Sequence, residues 1–487
     1  MNTLFTCVPP QVVDLTEGTS SHRRASRTWT RRKIRPMLSR RVFLSMIAAL
    51  VASRIPPQEL YGIQRIVRSA RPEDLEMPPA GFANFITPIE EFFVRSHVIV
   101  PKVDLSPWRL KVNGHVSNAL ELSMEDLQRM PSSEVIGVLE CAGNGRSFYD
   151  PPVAGLQWKN GAAGNGRWRG VRLADVLQRA GVRPGAVEIL FDGADVPIGT
   201  MQDFQRSIPL AKAIHTGTIL AYAMNGETLP ANHGFPLRAV VPGWAGNSWV
   251  KWLTGIRVLN EESPGFWMKN AYLHPGKSVT PGVVLAPNAM TPVTSLRVKS
   301  VIASPANEAT VDVGKPAVVR GAAWTGDAGG RVTGVDVSVD QGRTWKAARL
   351  AGPSTPFGWR LWEFSWTPKE DRRYALLARA RDSSGDTQPM VQEWNPSGYL
   401  WNVIARVDVN AGKPSGPSPT PAESDPVPPL NGFRERCLVC HDDDVIRQQR
   451  LTRAQWEREI DKMMNWGARV SPEERPSLVD YLLRVAR

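Results

Sequence analysis

The sequence predicts three successive folds behind an N-terminal leader: an α+β domain, an all-β immunoglobulin-like sandwich and a small all-α tail. Three observations carry this. Up to about Pro281, short apolar runs of strand character are interspersed with two amphipathic helical patterns, without a regular βα repeat. From about Val283 the texture changes to short alternating strands, separated at regular intervals by Gly, Asp and Pro turns. After a Pro- and Ser-rich stretch, the chain ends in two helical patterns and a Cys-x-x-Cys-His run. The boundaries fall at 1–53 for the leader, 54–282 for the α+β domain, 283–409 for the sandwich, 410–432 for a linker and 433–487 for the tail.

The leader contains Ser39-Arg40-Arg41-Val42-Phe43-Leu44, a twin-arginine pattern, followed by an apolar run to Ala52. That run is too short to span a bilayer and fits the core of an export signal. The expected compartment is the periplasm, with no stable membrane span. Met37 lies just before the pattern and marks an alternative start. The twin-arginine route carries folded proteins, so the signal itself suggests a cofactor inserted before export.

Within the α+β domain, residues 122–130 read as a helix capped by Ser123 with Asp126 three residues on. Residues 171–182 place Val171, Leu173, Val176, Leu177 and Ala180 near one face and stop at Gly181. Strand-like runs occupy 108–116, 133–141, 188–196 and 237–243. In the tail, residues 452–468 place Trp456, Ile460 and Met463 near one face, and a Ser-Pro-Glu-Glu start opens a last helix at 471.

The composition, 42% hydrophobic and 22% charged, is that of a soluble globular protein. The net charge of +12 is less informative than its size suggests. Residues 1–53 hold nine Lys/Arg against Asp14 and Glu17, so seven of the twelve charges lie in the leader. No basic run interleaved with aromatics follows, which argues against a nucleic-acid partner.

The four cysteines carry more chemistry. Cys7 falls in the leader. Cys437 and Cys440, with His441, form the signature of covalent c-type haem attachment: two thiols reach the vinyl groups and the histidine coordinates iron. A methionine is the usual sixth ligand, and Met463 and Met464 are the candidates. The segment around them resembles the short haem tails of some periplasmic dehydrogenases, in which the methionine three before a tryptophan binds iron; this puts Met463 first. Cys141 is left alone in an oxidising compartment, where an unpaired thiol is a liability. It is either a buried small residue or a metal ligand. One thiolate with no His, Cys or carboxylate set at ligand spacing builds no protein-only site, so further ligands would come from a cofactor.

The stretch from Val138 to Leu177, "VLECAGNGRSFYD…GLQW…GNGRWRGVRLADVL", resembles the molybdenum centre of the sulfite oxidase family. "FFVRSHVIVP" (92–101) and "LAYAMNGETLPANHGFPLRAVVPGWAGNSWVKWL" (220–253) are similar to the family's pterin-contacting segments. "GVDVSVDQGRTWKAA" and "QPMVQEWNPSGYLWN" are similar to its dimerisation domain. The likeness covers about residues 84–409. It implies an α+β sulfite-oxidase-type molybdopterin domain in which Cys141 and a pterin dithiolene hold molybdenum. It further implies that Arg95, Arg146, Trp158, Tyr272 and Arg406 line the substrate pocket. His97, His233, Arg238, Ser248 and Lys251 would contact the pterin or its phosphate. Gly145 departs from the family pattern, because several relatives carry a second arginine there.

The chemistry agrees with those roles, since guanidinium groups offer planar bidentate donors to oxyanions and keep their charge when buried. The implied activity is a molybdenum-dependent sulfite dehydrogenase that passes electrons through its own haem c to a soluble cytochrome c, as a homodimer. A sulfane dehydrogenase acting on carrier-bound sulfur, or a non-catalytic electron carrier, would share most of these features. A nitrate reductase is disfavoured, because no flavin or nicotinamide module is visible in the sequence.

Overall fold

The computed structural model describes residues 64–283, 285–412 and 430–486. The leader with its twin-arginine pattern and Cys7, and linker residues 413–429, lie outside the described residues. Two five-stranded sheets form the α+β domain. One runs Glu227–Thr228, Ile219–Met224, Ala163–Arg172, Ser132–Glu140, with Arg238–Val240 also paired to Ile219–Met224. The other runs Leu120–Leu122, Leu110–Gly114, Leu253–Leu259, Glu188–Gly193, Arg206–Pro209, and its second and third strands are parallel.

All four sequence-expected strands form, though each is shortened or shifted at its ends. Both expected helices form as well. Met124–Arg129 opens with a reciprocal Ser123–Asp126 capping box. Leu173–Ala180 buries Leu173, Val176, Leu177 and Ala180 and ends at Gly181, whose φ of +68° suits glycine. Val171 shares that burial but belongs to the preceding strand.

That preceding strand, Ala163–Arg172, is the middle of its sheet, yet its sequence carries three glycines. Glycine is depleted in strands because it has no side chain to pack and loses more entropy on ordering. Here close approach requires it. A Cβ on Gly164 would lie 2.7 Å from the Phe92 ring, and one on Gly170 would run into the Leu220 backbone.

The sandwich packs a four-stranded sheet (Lys299–Ser304, Ala317–Trp324, Arg360–Trp366, Arg349–Ala351) against a five-stranded one (Thr310–Val311, Ala405–Ala411, Arg373–Asp382, Val332–Ser338, Lys346–Ala347). Val319, Val335, Val337, Leu376 and Val409 fill the space between the two sheets. The first sandwich strand is Lys299–Ser304, sixteen residues beyond the expected boundary at 283. The intervening Met290–Pro292 pairs instead with Leu273–Pro275 of the α+β domain.

The tail forms four helices: Phe433–Cys437, Asp444–Arg447, Arg453–Asn465 and Arg475–Val485. The third begins with a Thr452–Gln455 capping box. The last starts four residues later than the Ser-Pro-Glu-Glu signal suggests. Ser471 and Glu474 do form reciprocal cap-like bonds, the Glu474 N–H to Ser471 Oγ (3.4 Å) and the Ser471 N–H to Glu474 Oε2 (3.0 Å), but they close a turn. The helix then begins at Arg475 with a proline in its first turn.

Candidate active site

Cys141 follows directly on the strand Ser132–Glu140, and its backbone N–H is bonded to the Ala162 carbonyl across the sheet (2.9 Å). Two cavities meet at its thiol. A narrow recess leads to Ser96, Asn232, His233, Arg238, Asn247 and Lys251. A larger cavity of about 1110 Å³ leads past Gly143, Arg146, Trp158 and Tyr399 into the tail. Arg95, His97, Cys141 and Tyr272 line both. Burial pushes the Cys141 thiol up from its ordinary value; Arg95, the Gly143 N–H and Arg146 pull the other way.

The recess gathers buried cations whose hydrogen bonds run to neutral oxygens, with Asp195 also on its wall. Arg238 is 2% exposed and donates only to carbonyls, those of His233 (2.8 Å) and Trp249 (3.0 Å). Its Nε is buried without a partner, as is Ser248 Oγ. Burial lowers the Arg238 guanidinium to about 9. Lys251 Nζ donates to the Arg95 and Asn232 carbonyls and to Ser96 Oγ, at 2.9 to 3.0 Å, all neutral. Burial, reinforced by Arg238, lowers it to about 7. Two buried cations paired mainly with neutral oxygens, plus orphaned donors, call for a multiply charged oxyanion such as the phosphate of a pterin cofactor. His233 is held neutral first by burial and then by Arg238 and Lys251.

On the other side of Cys141 the pocket is also cationic. Arg95 bonds Asp74 (3.3 Å), whose carboxyl burial raises to about 6 even with the arginine beside it. Arg146 sits at the start of the one-turn helix Arg146–Phe148 and is 8% exposed. Its Nη atoms donate to the Leu156 (3.2 Å) and Ser397 (3.4 Å) carbonyls, and its Nε is buried without a partner. A Cβ placed on Gly143, Gly155 or Gly398 would lie 2.6, 2.8 or 3.0 Å from the Arg146 guanidinium, so three glycines form its cage. Trp158 is fully buried with its indole N–H unpaired.

Tyr272 occupies the left-handed region at φ +53°, uncommon for a bulky residue. Its hydroxyl lies 2.8 Å from His97 Nε2. His97 is neutral because burial, Arg95 and Lys251 all disfavour its cation, and burial keeps the Tyr272 hydroxyl protonated. Among the described residues no group of three or more His, Cys, Asp or Glu side chains is arranged to hold a metal. At this end of the cavity Cys141 is the only cysteine among the described residues, and the remaining ligands fit a cofactor rather than the chain.

The large cavity ends among Cys437, Cys440, His441 and Met463, with Ile446, Trp456 and Leu478 on its apolar walls. Burial raises the Cys437 thiol to about 11. Met463 lines this cavity; Met464 is 37% exposed and does not. The tail docks over the pocket mouth. Arg71 donates to the Leu438 carbonyl (2.6 Å) and pairs with Asp442 (3.1 Å), Gln455 Nε2 donates to the Pro152 carbonyl (2.9 Å), and the Trp267 and Trp466 rings lie 6.5 Å apart.

Residues 97–267 match the oxidoreductase molybdopterin binding domain, and residues 290–412 match the Mo-co oxidoreductase dimerisation domain. Chicken (Gallus gallus) sulfite oxidase is 39% identical over 353 residues, 69% of this chain and 75% of that protein. The chain belongs to the sulfite oxidase family of molybdopterin oxidoreductases. Rat (Rattus norvegicus) mitochondrial sulfite oxidase is 39% identical over 363 residues, 70% of this chain. The chain spans about 65% of the length of that family member. The crystal structure of the sulfane dehydrogenase SoxCD from Paracoccus pantotrophus superposes with a TM-score of 0.63 at 28% identity, covering 74% of this chain and 96% of that one.

Of the family positions, Arg95, His97, Cys141, His233, Arg238, Lys251 and Tyr272 converge on the recess, and Arg146 and Trp158 on the larger cavity. Ser248 is fully buried next to the recess residues Asn247 and Trp249. Arg406 is a correction. It lies on the sandwich strand Ala405–Ala411, 63% exposed and paired with Asp408 (3.1 Å), and lines neither cavity. A strand's side chains alternate between faces, and this register turns Arg406 outward.

One pocket residue, and one residue packed behind the pocket wall, had no sequence signal. Tyr399 stacks on Tyr272 (5.5 Å, 14°), and its ring centroid lies 5.1 Å from the Arg146 guanidinium. Arg206, 1% exposed, donates to the Trp267 carbonyl and lies 5.6 Å from the Tyr272 ring. The departure at Gly145 also has a cause, because its φ is +87° and a Cβ there would lie 2.5 Å from Trp401.

Proposed function

We propose that this chain is an exported, molybdenum-dependent sulfite dehydrogenase that oxidises sulfite to sulfate. In this reading electrons pass through a c-type haem in its own tail to a soluble cytochrome c. The observation that carries the reading is the single cavity with Cys141, Arg95, Arg146 and Tyr272 at one end and Cys437, Cys440, His441 and Met463 at the other.

Molybdenum bound by Cys141 and a pterin dithiolene supplies two-electron oxidation with oxygen transfer. The chain does the rest. Arg238, Ser248 and Lys251 hold the cofactor's phosphate. Arg95 and Arg146 draw a small dianion toward the thiol and fix its oxygens, with Trp158 and Tyr399 closing the pocket. The Tyr272 hydroxyl and His97 Nε2 form a neutral hydrogen-bonded pair on the pocket wall. Cys437 and Cys440 would anchor a haem, and His441 and Met463 would hold its iron. The apolar walls suit the macrocycle and exclude water from it. The sandwich serves as the dimer interface, and the twin-arginine leader directs export to the periplasm. No helix among the described residues is long and apolar enough to cross a membrane.

The likeness to a sulfane dehydrogenase structure favours, as a second reading, oxidation of carrier-bound sulfur in the same pocket. Metal analysis with stopped-flow haem reduction tests both. Sulfite is expected to reduce the oxidised haem, read as growth of the ferrous absorption bands, in protein containing molybdenum. Protein that holds haem but no molybdenum, and ignores every sulfur oxyanion, would reduce this reading to that of an electron carrier.

A further inference from the structure

The helical tail touches the substrate arginine through one intermediary, the segment 152–157. Gln449, 5% exposed, pairs its side-chain amide with the Gly155 peptide in both directions: the Gly155 N–H donates to Oε1 (3.3 Å) and Nε2 donates to the Gly155 carbonyl (3.0 Å). Gln448 accepts from the Gln157 N–H (2.8 Å) and donates to the Arg68 carbonyl (2.8 Å). Leu156, between those two residues, presents its carbonyl to Arg146 Nη1 (3.2 Å). Among the described residues Arg146 forms no ion pair, so carbonyl positions, the Tyr399 ring and the glycine cage set its aim.

We propose that Gln448 and Gln449 make the docked tail a positioning element of the anion pocket, so that anion binding at Arg146 and docking of the tail strengthen one another. This rests on the reading of Arg146 as the arginine that holds the sulfur oxyanion. The physical basis is that a buried guanidinium held by neutral oxygens can be re-aimed by shifting them. Gln448 and Gln449 also satisfy the 155 and 157 N–H groups, which would otherwise seek water. Linkage requires reciprocity: whatever the tail adds to anion affinity, the anion adds to tail docking.

The test uses the full chain carrying both cofactors, with sulfate, the reaction's product, as the probe. Sulfate affinity is measured for wild type, Arg146→Gln and the double variant Gln448→Met/Gln449→Met. Amide exchange of segments 152–158 and 444–450 is followed with and without sulfate. We expect Arg146→Gln to weaken sulfate by at least about tenfold, and the glutamine pair by about tenfold, within the usual coupling range of roughly 5–150-fold. In the glutamine variant KM for sulfite should rise more than kcat falls. In wild type sulfate should slow exchange in both segments; in the glutamine variant it should leave 444–450 unchanged. If Arg146→Gln weakens sulfate while the glutamine variant binds it as wild type does, the linkage is wrong and the anion site stands. Wild-type tail amides indifferent to sulfate overturn the linkage without recourse to any variant. Sulfate affinity unaffected by Arg146→Gln overturns the anion-site reading, and the linkage with it.

Discussion

The most informative single substitution is Glu140→Gln, one residue before Cys141. Glu140 is 6% exposed, and both carboxylate oxygens are engaged. Oε1 accepts from Lys299 Nζ (3.0 Å) and Asn144 Nδ2 (2.8 Å), and Oε2 from the Trp324 indole N–H (2.7 Å). Lys299 is 2% exposed and opens the first sandwich strand, so this ion pair ties the cysteine strand to the next domain. Glutamine preserves the shape but leaves the Lys299 ammonium buried and uncompensated. Removing one partner of such a pair costs about 3–5 kcal/mol. Only one glutamine oxygen remains to accept, so one former donor also meets an N–H, adding about 1 kcal/mol or more. At roughly 2–4 °C per kcal/mol for domains of this size, the melting temperature should fall by about 10 °C. Lys299→Met should cost a comparable amount by stranding the carboxylate. The double variant should cost less than the sum of the two single effects, by a coupling of about 2 kcal/mol. Thermal unfolding of the four proteins provides the measurement. Strictly additive single effects, or a Glu140→Gln melt within a degree of wild type, would refute the claim that this pair joins the domains.

Other consequences follow from the same geometry. Cys141→Ser should eliminate molybdenum and sulfite turnover while leaving the haem absorption spectrum intact; normal turnover would remove the metal assignment. Lys251 is depressed from 10.5 to about 7 in the folded chain, so the unfolded chain binds more protons between those pH values. The cofactor-free protein should therefore gain stability as pH rises from about 7 to about 10. Both the pterin-loaded protein and cofactor-free Lys251→Met should show a flatter profile, read from melts at pH 7, 8 and 9. Met463→Leu should abolish the spectral signature of methionine–iron ligation and lower the haem potential, whereas Met464→Leu should preserve both. Gly155→Ala puts a methyl group 2.8 Å from Arg146 Nη1 at a φ of +117°, and should raise KM for sulfite severalfold with haem unaffected.

Much of the pocket was legible because its residues come in local runs. The strand ending at Cys141, the Gly-Asn-Gly-Arg turn after it and the run to Lys251 each keep their members near one another in sequence. Tyr399 and Arg206 were not legible. They reach the site from the far side of the sandwich and from a sheet edge, and a lone Tyr or Arg carries no sign of its destination. Arg406 failed for the converse reason, since a family position became a surface ion pair once strand register chose its face. The strand Ala163–Arg172 hid behind its glycines, which read as loop and serve close packing.

Local pattern alone was enough to mark the three folds, the helix capped by Ser123, the Cys-x-x-Cys-His run and the lone thiol, because each depends on neighbours within a few residues. Long-range packing settled the rest. It placed Arg238 and Lys251 together as buried cations facing mainly neutral oxygens, closed the distant Gly398 over Arg146 beside the nearby Gly143 and Gly155, and joined the Cys141 pocket to the tail in one cavity. Burial and charge pairing act through space, and only the folded chain decides which charges are left without a partner.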